Sequence, residues 1–436
     1  MKKMTRIIHA PLAAITLGLL AVQFAPNGFG VVPPPDGGYP NFTTAEGTKA
    51  LQSLTTGSGN TGIGWVSLFS ATSASFNTGV GAGTLALNTA DENTATGAGA
   101  LLLNTAGIGN TATGAFALLH NDTGNGNTAT GLNALANNTT GGFNTATGDA
   151  ALLNNTTGSD NTAIGAGALE VNTGSENTAI GSGALLFNTT GSANTATGFQ
   201  ALLNNNTGFA NTANGFQALL TNTIGQGNTA TGLDALKNNI NGSDNTATGI
   251  NALISNTSGS DNTGDGNNAL GANTSGSSNT AIGNTALSSN TIGDFNTAVG
   301  NAALLSNTTG SSNIALGTNA GITITAGDRN IDIGNTGMAG DTDTIRIGTI
   351  QTRTFIAGIR GVTTGNNNAV AVLIDSTGQL GTTSSSRRFK KEIKAMDQSS
   401  EAILALKPVT FHYKSDATKT DRGRGRSSGS RLGCAR

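Results

Sequence analysis

The sequence predicts an all-β chain built as a parallel β-roll, a β-solenoid of about 17 coils with a 17-residue repeat. Three observations predict it. First, Asn-Thr followed by a small residue recurs at Asn60, Asn77, Asn93, Asn110, Asn127, Asn144, Asn161, Asn177, Asn194, Asn211, Asn228, Asn245, Asn262, Asn279 and Asn296, and the phase continues through Asn313 and Asn330. The steps are 17 residues, with two of 16. A compositional tract under no packing constraint would not hold that register. Second, only 4% of the 436 residues are aromatic and 36% hydrophobic, while 64 are Gly, so several ordinary globular cores cannot be built. Third, the fourth position of the coil is β-branched in 13 of the 16 copies starting from Asn60 to Asn313, as at Ile63, Val80, Thr96, Ile164 and Val299. Such residues favour strands.

Composition also excludes function classes. Three His and one Cys leave no material for a dedicated metal centre or a disulfide framework. A net charge of −2 offers no general attraction to nucleic acid or anionic membrane. There is no phosphate loop and no paired His. No cofactor, no metal, no nucleic acid and no small-molecule substrate are therefore expected.

Residues 1–25 read as a secretory signal peptide: Lys2, Lys3 and Arg6 precede the apolar stretch Ile7 to Ala25. The expected destination is secreted or at the cell surface or outer membrane. Residues 26–42 form a spacer holding Pro26, Pro33, Pro34, Pro35 and Pro40, five of the seven prolines. The repeats fill residues 43–348. A typical coil, Asn127 to Phe143, holds two strand-like segments separated by Gly and by an Asn-Thr-Thr-Gly turn.

Exchange of Thr with Ile and Val at the fourth position reads as an inward-facing site. The second-position Thr would share that face and the Ala between them would point out. The first-position Asn would stack as a hydrogen-bonded ladder. In the Ala-Leu pairs (Ala134-Leu135, Ala168-Leu169, Ala235-Leu236) one residue would line the interior. The other, with Leu102, Leu119 and Leu153, would form an exposed apolar stripe demanding a parallel homo-oligomer. The alternative is that all of them fill a wider single-chain solenoid. Asp160, Asp244, Asp261 and Asp294 read as solvated turn residues, too sparse for Ca²⁺.

Residues 331–383 keep strand-like stretches at Thr344 to Gly348, Thr354 to Gly358 and Ala369 to Ile374, and residues 349–384 read as a β-rich neck. Charge is uneven, since 17 of the 22 Lys and Arg lie from Arg329 onward. A helix is expected over 399–406 and a short strand over Val409 to Tyr413.

The Asn-Thr-Ala-Ile-Gly blocks at Asn161 to Gly165 and Asn177 to Gly181 resemble the coil motif of YadA-type trimeric autotransporter adhesin heads. The resemblance covers residues 43–348. It implies a homotrimer and adhesion to an extracellular ligand or surface. Ser385-Ser386-Arg387-Arg388-Phe389-Lys390, followed by Leu404 to Tyr413, resembles the start of the endosialidase-type intramolecular chaperone domain. That resemblance implies trimerisation at the end of a β-fibre and self-cleavage by a serine-lysine dyad. Ser385 would be the nucleophile, Lys390 its general base, and the cut would fall between Ser384 and Ser385. Arg387, Arg388 and Lys391 would help lower the lysine's pKa. Ser386 stands where the family carries an acidic residue.

The domain start would occupy residues 385–416. Residues 417–436, with the Arg-Gly run from Arg422 to Arg426, read as a disordered or frameshifted basic tail. A domain cut so short buries little core, so at most a single-turnover autopeptidase is expected, inactive in this truncated chain. His412 reads as a packed strand residue.

The functional expectation is a secreted or surface-displayed fibre acting in adhesion. One alternative is a self-processing fibre cleaved before Ser385. Another is an ice-binding β-solenoid, because Thr-Ala-Thr recurs; that requires outward Thr, and the inward reading argues against it.

Overall fold

A computed structural model describes residues 40–356, 370–376 and 378–382, with backbone pairing at 408–409 and 433–434. The signal peptide (1–25), most of the spacer and the helix expected over 399–406 lie outside the described residues. The chain divides into two units, residues 1–352 and 353–436.

The first unit is a parallel β-solenoid of about 18 turns. One three-residue strand per coil, from β1 (Thr44–Glu46) to β19 (Ile345–Ile347), builds a 19-stranded sheet. Each strand pairs in parallel with the same place one coil on, as Thr128↔Thr145 and Thr130↔Thr147 do. The final step shortens to 14 residues, Ile331↔Ile345. Among the described residues the helical content is one 3-10 turn, Pro40–Phe42.

The inward and outward assignment of the strand is opposite to the expected one. In β6 (Thr128–Thr130) Ala129 is fully buried while both threonines are exposed. The same pattern, outer residues out and middle residue in, runs through the strands that begin at Thr61 and end at Val299. Parity explains it. The Asn before each strand points inward, and alternate strand residues share a face, so the third position joins the first. Space agrees: a Cβ on Gly62, which takes the Ala place, would lie 3.2 Å from Leu51 Cγ. That slot accepts a methyl and little more.

The second strand-like segment forms no strand, and both members of the Ala-Leu pair are interior. Ala134 and Leu135 are fully buried. The pleat rule fails here because Asn133 (φ 55) and Leu135 (φ 53) are left-handed. The chain zigzags through turns. Ala136 N–H and Asn138 N–H bond Asn133 and Leu135 carbonyls at 3.3 Å. Meanwhile Leu135 and Asn137 N–H reach up one coil to Ala151 and Leu153, at 2.8 and 2.9 Å.

A left-handed L-residue costs about 1–2 kcal/mol. Burying a Leu side chain returns about 1.5–3 kcal/mol and a coil-to-coil hydrogen bond about 1. The contacts win, coil after coil. The expected stripe built on this pair is therefore absent; Leu119 is buried and Leu102 and Leu153 are half-buried. The residues fill a wider single-chain roll.

The first-position Asn ladder forms as expected. Asn144 N–H and Nδ2 both donate to Asn127 Oδ1, at 2.9 and 3.1 Å. A second buried Asn rail, not anticipated, runs from Asn88 to Asn307, with Asn138 Nδ2 donating to Asn121 Oδ1 at 2.7 Å. Ala71 and Ile324 occupy the corresponding places in the coils just beyond its ends, both buried. Outside the rails, Ser and Asp side chains accept backbone N–H groups from the preceding coil, as Ser159 Oγ does from Gly142 and Asp294 Oδ1 from Ser277.

In the second unit β20 (Val372–Ile374) and β21 (Leu380–Thr382) form an antiparallel pair. β20 falls inside the stretch expected at Ala369 to Ile374. Thr354, Phe355 and Ile356 are exposed and carry no strand. A two-residue strand β22 (Pro408–Val409) pairs antiparallel with β23 (Gly433–Cys434).

Candidate functional site

The roll spends its polar groups internally, so its candidate functional surface is what remains outside. Three outward rows matter. The first is the leading residue of each strand: from β1 to β16 (Thr297–Val299) it is Thr without interruption, Thr44 to Thr297. The second is the closing residue of each strand, where Thr alternates with exposed Ile164, Ile180, Ile282 and Leu316. Of the side chains in these two rows, only Glu46 and Asp265 are charged.

The third row follows the Gly after each strand. Over four successive coils it presents Phe199, Phe216, Leu233 and Ile250, all exposed. Phe199 and Phe216 stack with centroids 5.4 Å apart and planes 18° off parallel. Beside them Gln217 Nε2 donates to Gln200 Oε1 at 2.9 Å. This ridge is one exposed apolar feature of the rod, and Phe76, Phe143, Phe209 and Phe295, each one or two residues before a ladder Asn, are others; the Ala-Leu pair is not among them.

Between Lys49 and Arg329 the only basic residue is Lys237, and it pairs with Asp234 at 3.2 Å. The remaining carboxylates leave the rod anionic. They sit mainly off the sheet face, at turn positions such as Asp160, Asp244 and Asp261, each left-handed and exposed. Asp294 differs from these, its carboxylate accepting the Ser277 N–H at 2.7 Å. Among the described residues no three His, Cys, Asp or Glu side chains gather as a metal-binding group.

The carboxy-terminal end of the roll carries its most perturbed group. Asp332 occupies the inward place that Ala holds elsewhere, only 2% exposed, and its Oδ2 has no hydrogen-bond partner. Burial, with Asp341 adding to it and Arg346 opposing, pushes its carboxyl up to about 6. Arg346 takes the same inward place in β19 and bonds Asp341 instead, Nε to Oδ2 at 2.6 Å, which holds the Asp341 carboxyl below its usual value.

Ser385 and Lys390 lie outside the described residues, as do Arg387, Arg388, Lys391 and His412, so the structure brings together none of the dyad. What the sequence reading missed is on the rod: the outward Thr rows, the second Asn rail and the buried Asp332. The first had a signal in residue parity. The second had one in the Asn that recurs eleven residues after the ladder Asn, from Asn88 to Asn307.

No curated protein and no solved structure matches this chain. Residues 385–429 match the family described as chaperone of endosialidase. The protein is thus a β-solenoid followed by a segment similar to the endosialidase-chaperone family.

Proposed function

We propose that the protein is an exported, trimeric fibre that works by contact, as a surface adhesin, with its carboxy-terminal segment assembling the three chains. The observation that carries this reading is the regular presentation of the same outward rows over 19 strands, a rod about 85 Å long at ~4.8 Å per coil. Such a surface suits many weak repeated contacts. The YadA-type resemblance of the coils and the chaperone match at 385–429 both support a trimer. The basic-then-apolar start supports export through a signal peptide.

The test is sedimentation of the secreted full-length chain followed by adhesion of protein-coated beads to cells or abiotic surfaces. A trimer that retains beads is expected. A monomer that leaves beads unbound would sink the reading.

Self-processing is favoured as a second reading by one observation, that the family match begins at Ser385. Cleavage between Ser384 and Ser385 by Ser385 and Lys390 would release the segment after assembly. This reading requires the wild-type chain to be shortened at this bond and Ser385→Ala to migrate at full length. Identical full-length bands for both would remove it.

A further inference from the structure

We propose that the outward face of the sheet binds ice. The objection raised by the sequence, inward-pointing threonines, is reversed by the structure. In β4 (Thr94–Thr96), β5 (Thr111–Thr113), β6 (Thr128–Thr130) and β7 (Thr145–Thr147) both outward residues are Thr, in unbroken register. From there to β13 (Thr246–Thr248) the first file is all Thr, and only Ile164, Ile180 and Asn214 interrupt the second.

This arrangement has a fixed two-dimensional period. Successive coils repeat at ~4.8 Å and the two files stand ~6.7 Å apart, two residues along a strand. β-Branched side chains have few χ1 choices, and each sits on the same backbone, so hydroxyls and methyls repeat with the lattice of the sheet. Strand N–H and C=O groups are consumed in the parallel ladder. Side chains alone meet the water.

A dissolved molecule gains little from such periodicity, because it spans only a few residues. A crystal gains at every coil. Both spacings lie near repeat distances of hexagonal ice, so water held between methyls and bonded to hydroxyls would already occupy lattice-like sites. Each ordered water contributes little by itself, and the rows multiply the effect. Charge agrees. The face from β4 to β13 carries no ionised side chain, whereas the rod elsewhere is anionic. A neutral lattice suits it; a polyanion or polycation does not. A second copy of the chain covering this face is the competing occupant, and it would leave nothing for ice.

The experiment uses the full chain, labelled at its amino terminus, in slowly grown ice and in a thermal-hysteresis measurement. Incorporation into ice and a measurable hysteresis gap are expected. Thr113→Tyr with Thr130→Tyr puts two rings above the middle of the all-Thr coils β4 to β7 and should abolish both. Thr140→Tyr, exposed and off the sheet, should change neither. Circular dichroism matching the wild type confirms that the variants are folded. Should the Tyr pair disturb folding, Thr113→Lys alone carries the test.

Exclusion of the wild-type chain from ice overturns the proposal, whether the face is inert or buried between copies. So does ice binding that survives a folded face variant. Failure leaves the adhesin reading standing, since bead adhesion and trimer formation are read separately.

Discussion

The carboxamides of Asn127 and Asn138, eleven residues apart in one coil, converge on a single acceptor, the carbonyl oxygen of Gly141, at 2.9 and 2.8 Å. Each amide also donates to the equivalent Asn one coil below, at 3.2 and 2.7 Å. Gly141 thus ties the two rails together in its coil, and the equivalent glycines do so from Gly107 to Gly310. A buried amide left unpaired costs about 1–3 kcal/mol. Here each finds partners along the rod and across it, so a core poor in large side chains stays polar with its amides paired, until the second rail ends at Asn307, whose Oδ1 has no partner.

The convergence makes Gly141 and its neighbour Gly142 differ sharply. A Cβ on Gly141 would stand 2.2 Å from the Gly158 carbonyl oxygen and 2.6 Å from Asn138 Oδ1. The first is backbone, and the second is pinned in the rail by Asn155 Nδ2 at 3.0 Å. A Cβ on Gly142 would meet the Asn125 carbonyl oxygen at 3.2 Å, a contact a few tenths of an ångström can relieve. Gly141→Ala should therefore cost about 1–3 kcal/mol or more, and Gly142→Ala well under 1. Urea unfolding followed by circular dichroism measures both. Equal midpoints would show that the rails tolerate opening.

Much of this was legible in the sequence, and the failures share one cause. Period, coil number and the first Asn ladder follow from spacing alone, because stacked coils must repeat what they pack. Facing did not follow, because exchange of Thr with Ile and Val does not by itself distinguish a buried strand face from an exposed one. An exposed strand face tolerates the same exchange, since β-branched residues suit any pleated surface. Parity was the better guide: with Asn127 inside, Ala129 had to be inside too. The Ala-Leu pair failed for another reason. Pleat alternation assumes extended backbone, and nothing in Asn133-Ala134-Leu135 announces two left-handed residues.

Those left-handed leucines reverse a familiar ranking. In most positions Gly destabilises more than Ala, through backbone entropy. Leu135 has φ 53 and is fully buried. Leu135→Ala loses the buried side chain, at about 2–5 kcal/mol, and keeps the left-handed cost. Leu135→Gly loses the side chain and is relieved of that cost, which leaves it about 0.5–1 kcal/mol more stable than the Ala variant. Paired denaturant curves decide the matter. An Ala variant more stable than the Gly variant would mean the backbone relaxes to a right-handed conformation when the Leu contacts go.

The end of the roll should loosen as pH rises from mildly acidic to neutral. Asp332 is raised from 3.8 to about 6, chiefly by burial, then by Asp341. For a raised carboxyl, the folded state holds a proton the unfolded chain has already lost. Its contribution is complete below pH 3.8 and disappears as pH rises through about 6. Asp341 runs the other way: the Arg346 hydrogen bond lowers it, so its contribution is present above the ordinary carboxylate value and lost below. The two windows leave the terminal coils tightest in mildly acidic solution.

Hydrogen-exchange protection at Gly348 N–H, bonded to the Ile333 carbonyl at 2.8 Å, reads this end directly. Gly232 N–H, bonded to Asn214 mid-rod, is the reference. Protection at Gly348 should fall between pH 5 and 7 relative to Gly232, and Asp332→Asn should flatten that fall. An unchanged pH profile in Asp332→Asn would place the sensitivity in another group.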